Sequence, residues 1–517
     1  MSSLHVAMDK DFHWLLKNHA HRRPDAPLLH WEPFEGDAKT WTYGAFYKDV
    51  RRVAAGLHAK GVRRGDFLLL HANNCPEFLI AYHACAALGA VVVTTNPRSA
   101  VEEMRYFISH SRARFAITQP EFVDLLRETG PDLEWIASTE QNSAEPSEPV
   151  PAGIVPFDDL FADDTDFEIE RNDPMAPFSV QYTSGTTSRP KGVVWTHANA
   201  LWGAQTVASH NLLRDIDTAI VFTPLCHTNA MSWAHYGVLW SGGAMVLQPK
   251  FSASRFWPTA LKHGCTWANV IPFAMQALAT LPVPDDHAFR YWVIGAANIG
   301  PVEDLFRITF VGAWGMTELI AHGTYTPPQL SSPERSMGLP APEFELKIVD
   351  ESGQDVSHGE TGLLKVRGVP GITLFKEYLY NPEATAGSFD DEGWFDTGDR
   401  VYQTADGHLR FADRAKDMLK VGAENVAASE IEGAVMLTEG VLECAVVGKP
   451  DKMKDEVPAV FVRAAEASDV LASAILETCR AQLADFKVPV EVIFVEDFPR
   501  AELNKIAKAK LRKLFED

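Results

Sequence analysis

Short apolar runs alternate with amphipathic stretches through roughly the first 400 residues, the pattern of strands and helices taken in turn. Residues 67–71 (Phe-Leu-Leu-Leu-His) predict a strand, 76–88 a helix, 90–94 a strand, 100–109 a helix and 114–118 a strand. Residues 177–181 predict a further strand, and the segment after Thr196 a helix. Strand-like runs recur at 219–223, 244–248, 266–271 and 291–294, with helical stretches between them. Such alternation implies parallel sheets covered by helices. Residues 139–151, rich in Ser, Glu and Pro, predict an exposed loop.

The pattern changes near residue 395. Residues 402–409 hold Ala405-Asp406-Gly407 between short strands, a hairpin signal. Beyond 417 the elements are short: helix 429–437, strands 445–447 and 459–463, helix 472–483, strand 492–495. The expected fold class is therefore α/β, a large N-terminal domain of helix-covered, mostly parallel sheets plus a small α+β C-terminal domain of about one hundred residues. The boundaries are placed at 1–413 and 417–517, joined by Arg414-Ala415-Lys416.

Composition narrows the function classes. At 517 residues, 46% hydrophobic and 10% aromatic, the chain has ample core for two domains. A formal net charge of −22 removes the basic footprint that nucleic-acid binding needs. The six cysteines are scattered with no Cys-x-x-Cys pair, so neither a zinc ribbon nor a disulfide framework is expected, and the cytoplasm fits best. The N-terminus has no signal-peptide core. The longest apolar stretch, 78–93, is too short to span a membrane and reads as helix then strand.

The densest chemistry lies at Tyr182-Thr183-Ser184-Gly185-Thr186-Thr187-Ser188-Arg189-Pro190-Lys191-Gly192. Hydroxyls, glycine backbone and one cation suit a polyphosphate. The loop is expected between strand and helix, where α/β proteins hold phosphate. It is not the common P-loop: five residues separate Gly185 from Lys191, and glycine rather than Ser/Thr follows the lysine.

Further motifs follow in order: Trp314-Gly315-Met316-Thr317-Glu318, Trp394-Phe395-Asp396-Thr397-Gly398-Asp399, Asp413-Arg414-Ala415-Lys416-Asp417, Lys420-Val421-Gly422-Ala423-Glu424-Asn425-Val426, and Asn504-Lys505-Ile506. Together with the hydroxyl-rich loop, they resemble the adenylate-forming superfamily over nearly the whole chain. Residues 368–382, with Ser188-Arg189, are similar to its crotonobetaine/carnitine–CoA ligase branch.

The resemblance implies an ATP-dependent carboxylate–CoA ligase that works through an acyl-adenylate. Its co-substrates would be ATP with Mg²⁺, coenzyme A and a small carboxylic acid. Thr183, Ser184, Gly185, Thr186, Thr187 and Lys191 would hold the phosphates. Glu318 would ligate Mg²⁺, a hard cation that takes oxygen ligands, and Thr317 would donate to the α-phosphate. Gly295, Ala296, Ala297, Trp314, Gly315 and Met316 would form the adenine slot, with Asp399 and Arg414 at the ribose. Lys505 would bring its ammonium to the reacting carboxylate and phosphate. Rotation about Lys416 would exchange Lys505 for a coenzyme A-facing loop at Val421 and Gly422. His227 would line the acyl site, with Thr228, Trp233, Trp267, Phe273, Asn298 and His322 around the acid.

Ala423, Asn504 and Ala428 depart from the residues usual at these places (Gly, Gly and Pro), and the span from Gly295 to Trp314 is short. The alternatives are an adenylate-forming amide synthetase or another non-CoA acceptor, and a nucleotide-binding protein with a degraded site. No carrier attachment motif occurs in the chain. The sequence admits a homodimer without specifying one.

Overall fold

The computed structural model describes residues 7–140, 149–183, 190–295, 300–330, 332–414, 418–422, 424–464, 466–499, 506 and 508–515. The α/β class is borne out, with three sheets. In the first, six strands run parallel in the spatial order Pro27–Trp31, Ala244–Leu247, Thr218–Val221, Trp267–Asn269, Tyr291–Ile294 and Thr309–Trp314. An antiparallel arm extends it through Thr324–Tyr325, Ser336–Pro340, Leu409–Arg414, Phe395–Gln403, Gly362–Arg367 and Glu345–Val349. The second sheet sets Phe67–His71 between Val91–Thr94 and Phe115–Thr118, all parallel, with Pro177–Thr183 beyond Val91–Thr94. The C-terminal sheet has five strands, centred on Asp455–Ala464.

Helix Pro76–Leu88 is buried on almost every side, as its lack of a polar face requires. Proline starts it and Gly89 ends it at φ +75°, so chain punctuation fixes both bounds. A Cβ at Gly89 would stand 2.3 Å from Asn172 Oδ1, so this turn takes only glycine.

Two expectations need correction. Lys191–Thr196 is a strand, antiparallel to Pro177–Thr183 with Thr183 opposite Lys191. The hydroxyl-rich loop therefore joins two strands of a hairpin, not a strand to a helix. Its Val-Val-Trp run is β-branched and aromatic, and a ladder satisfies its backbone. Helix His197–His210 starts only after it, capped by Thr196 and Asn199. Trp267, expected near the acid, is fully buried on its strand, stacked 6.3 Å from Tyr291.

The large domain buries several neutral histidines. His71 and His235 are almost inaccessible, and burial alone holds each near a pKa of about 3 against an ordinary 6.5. The folded state keeps these rings neutral while the unfolded chain protonates them. Stability is therefore full above about pH 6.5 and is lost as pH falls toward the folded value. Each ring costs about 1.4 kcal/mol one unit below 6.5. Urea unfolding at pH 7.0, 6.0 and 5.0 is expected to show a falling midpoint; an unchanged midpoint at pH 5.0 contradicts this.

Candidate active site

Glu318 lies on the single turn Thr317–Leu319 that follows strand Thr309–Trp314, and its side chain is buried. Tyr378 Oη donates to Glu318 Oε1 at 2.8 Å, and Phe375 N donates to the Glu318 carbonyl at 2.7 Å. Burial first, and then the Glu318 charge, push the Tyr378 phenol up, so it stays a donor. Lys191 Nζ sits 4.5 Å over the Tyr378 ring, placing the predicted phosphate cation beside the predicted metal ligand. The stretch that supplies Tyr378 is anchored to the helix start: Thr196 Oγ1 donates to the Gly371 carbonyl, and Asn199 Nδ2 to those of Ile372 and Leu374. Residues 368–382, read from sequence only as a branch marker, thus brace Glu318. One buried carboxylate suits Mg²⁺ when substrate phosphate and water complete the shell.

Thr317 and Thr228 lie within 3.3 Å through their hydroxyls, Thr228 donates to Gln181 Oε1, and Trp195 Nε1 holds the Thr317 carbonyl at 2.8 Å. Thr183, Thr317 and His227 share a cavity of about 150 Å³ with Asn96, Glu424 and Lys487. This places the end of the hairpin predicted to hold phosphate, the predicted α-phosphate donor and the C-terminal domain around one space.

A larger cavity of about 510 Å³ is lined by Gly295, Trp314, Gly315 and Trp233, and across the cleft by Lys420 and Gly422. Arg335 and Arg512 add positive charge to its wall, beside Asp455 and Glu456. Trp314 is fixed by a hydrogen bond from Nε1 to Asp399 Oδ2 at 2.9 Å. Gly323 makes room for its ring, since a Cβ there would approach to 2.7 Å. Asp399 lies within strand Phe395–Gln403, its backbone opposite that of Arg414. Met316 caps the Glu318 turn with extended backbone.

Trp233 reaches both the cavity and His322, whose ring lies 4.4 Å away. His322 is fully buried, and burial, then His210, depress its pKa well below the ordinary value. Phe273 packs edge-on against Phe251 at 5.8 Å and does not line the large cavity; its neighbours Ile271 and Pro272 do.

Val421 ends strand Met418–Val421 opposite Glu424, the first residue of strand Glu424–Ala427, and Gly422 opens the bend between them at φ +64°. This hairpin is turned toward the large domain. Glu424 Oε1 lies 3.0 Å from His227 Nε2 and accepts from Asn96 Nδ2 at 2.9 Å. Burial opposes charge on both partners. Even so, Cys226 and Glu424 raise the His227 pKa well above normal, and His227 and Asn96 hold Glu424 at about 2. Sequence reasoning missed Tyr378, Asn96 and the Glu424–His227 contact. Ser184, Gly185, Thr186, Thr187, Ala296, Ala297, Asn298, Lys416 and Lys505 lie outside the described residues, as does the Arg414 side chain.

Residues 16–379 match the family described as AMP-binding enzyme, and residues 430–505 match the AMP-binding enzyme C-terminal domain. The crotonobetaine/carnitine–CoA ligase of Proteus mirabilis (strain HI4320) is 32% identical over 502 residues, 94% of this chain and 95% of that one. A double mutant of the o-succinylbenzoate–CoA synthetase of Bacillus subtilis, bound with the product analogue OSB-NCoA, superposes with TM-score 0.83 at 25% identity, covering 96% of this chain and 98% of that one. The same enzyme in complex with AMP superposes with TM-score 0.68 at 26% identity, covering 97% and 98%.

Proposed function

We infer that this chain, which belongs to the AMP-binding enzyme family, is an AMP-forming acid–thiol ligase that couples a carboxylic acid to coenzyme A. A carboxylate is a poor electrophile, because its charge repels nucleophiles and oxide leaves badly. A carboxylate oxygen attacks the α-phosphorus of ATP, pyrophosphate leaves, and an acyl-adenylate forms. The coenzyme A sulfur then attacks the acyl carbon, and AMP leaves with the electron pair of the broken C–O bond.

The chain's own residues supply position and charge to both steps. The Thr183–Lys191 hairpin grips the outer phosphates, Thr317 donates to the α-phosphate, and Glu318 holds Mg²⁺, which neutralises phosphate charge when bound. Trp314 offers its face to adenine, Asp399 and Arg414 stand at the ribose, and Lys505 spans carboxylate and phosphate. The acid lies toward Trp233 and His322. The observation that carries the reading is the docked hairpin: Glu424 meets His227 at a cavity also lined by Thr183 and Thr317, so a thiol entering there comes upon the acyl end of an adenylate. The better match to the product-analogue complex than to the AMP complex of one enzyme supports the same arrangement.

Domains 1–413 and 417–517 would then move about Lys416, and Lys416→Pro, which fixes φ, is expected to spare one half-reaction and impair the other. Equal loss of both contradicts the hinge.

The function is tested with ATP, Mg²⁺ and a panel of acids that includes betaines, as the Proteus relative suggests, and larger aryl acids, as the tryptophan wall admits. Pyrophosphate release on adding one acid, with AMP turnover only when coenzyme A is present, is expected. AMP turnover without coenzyme A but with an amine would assign a different acceptor.

A further inference from the structure

Lys487, on the turn Asp485–Lys487 of the small domain, carries a buried ammonium with two carboxylate partners. Its Nζ lies 2.5 Å from Glu103 Oε1 and 2.7 Å from Glu430 Oε1. All three side chains are less than a tenth exposed. Glu430 belongs to helix Ala428–Val435 of the same small domain, whereas Glu103 belongs to helix Val101–Ser111 of the large one.

The two carboxylates are therefore not equivalent. The Lys487–Glu430 pair lies wholly within the small domain and would travel with it. Glu103 alone contributes the large domain's share. It is held in place beforehand, because its second oxygen accepts from Ala100 N at 2.8 Å and closes the start of its own helix. A buried ion pair that loses one partner is penalised far more than an exposed one. The neighbouring interdomain pair, Arg98–Asp485, is open to solvent on both sides and contributes little.

We propose that Glu103 is a positioning residue, the fixed half of a latch that catches Lys487 and holds the small domain in its thiol-transfer arrangement. The inference rests on the ligase reading above. Because Glu430 stays with Lys487, the ammonium is never left wholly unpaired when the domain swings away. Glu103 thus biases the two arrangements without destabilising the small domain itself. Its effect runs through the Lys487 contact, although its side chain also borders the cavity shared by Thr183, Thr317 and His227.

The variant that isolates this is Glu103→Gln, which keeps a carbonyl oxygen for Ala100 N and removes the charge. In the full-length protein, Glu103→Gln is expected to leave pyrophosphate release within about twofold of wild type. Thioester formation from preformed acyl-adenylate should slow by roughly tenfold, less than a full buried-pair break because Glu430 remains. Glu430→Gln, which spares the interdomain contact, is expected to stay within about threefold in both half-reactions.

A second readout needs no turnover. With donor and acceptor dyes on Ser109→Cys and Glu477→Cys in a Cys444→Ser background, Glu103→Gln should shrink the short-distance population that wild type shows without substrates. Equal slowing of both half-reactions, or an unchanged dye distance, overturns the latch. If wild type adenylates no acid in the panel, the ligase reading fails instead, and the dye distance alone then decides the latch.

Discussion

Lys505→Ala is expected to lower acid-dependent pyrophosphate release by roughly 10²–10³-fold, the loss that follows removal of one preorganised charge donor. Adenylation brings an anionic acid against an anionic nucleotide, so a positioned ammonium gains most at the transition state, where charge builds on the oxygens around phosphorus. The same variant should still convert preformed acyl-adenylate and coenzyme A to thioester at a rate within a few-fold of wild type, because a different face of the small domain serves that step. A stopped assay of each half-reaction separates the two. Pyrophosphate release near the wild-type rate would remove Lys505 from the chemistry.

Glu318→Gln is expected to reduce pyrophosphate release by roughly 10²-fold and to raise the Mg²⁺ concentration needed for half-maximal rate. Glutamine keeps a carbonyl oxygen for Tyr378 Oη, which donates at 2.8 Å, so the turn Thr317–Leu319 should hold its shape. What disappears is the buried negative charge beside Lys191 and Tyr378. Loss of rate with an unshifted Mg²⁺ dependence would make Glu318 a brace for the turn rather than a metal ligand.

Much of the architecture was legible because local signals set it. Pro76 and Gly89 bracket their helix, and Tyr291–Ile294 is an apolar run flanked by breaks, so both bounds were read correctly. The small domain's long strands were read short. Val441–Asp451 and Asp455–Ala464 each extend past the apolar stretch that marked them, because their ends carry polar residues (Glu443, Lys449 and Asp451 on the first, Asp455 and Glu456 on the second) and are held by pairing with each other. Of the antiparallel arm only the hairpin around Ala405-Asp406-Gly407 was legible, and Phe395–Gln403 does pair there with Leu409–Arg414. Gly362–Arg367 went unread although it alternates buried and half-buried positions, since the preceding βαβ rhythm set the expectation. The hairpin strand Lys191–Thr196 was missed beside the hydroxyl-rich motif that precedes it.

For the site, residue types and order pointed to Glu318, Thr317, Trp314 and His227; Thr317 and His227 line one cavity and Trp314 another, with Glu318 buried beside Thr317 and held by Tyr378. Partnerships were beyond reach. Glu424 meets His227, and Lys487 meets Glu103, across sequence separations of 197 and 384 residues. No local period records such contacts; they arise from how two separately folded cores come to rest on each other.

The central claim is that a carboxylate oxygen bonds to the α-phosphorus before any thiol reacts. It is tested most directly by supplying the active acid of the panel with both carboxylate oxygens as ¹⁸O, in ATP, Mg²⁺ and coenzyme A, and weighing the released AMP. One ¹⁸O atom in the phosphate of AMP is the predicted result. AMP without label, with the single transferred heavy oxygen found in inorganic phosphate or pyrophosphate instead, would contradict the account.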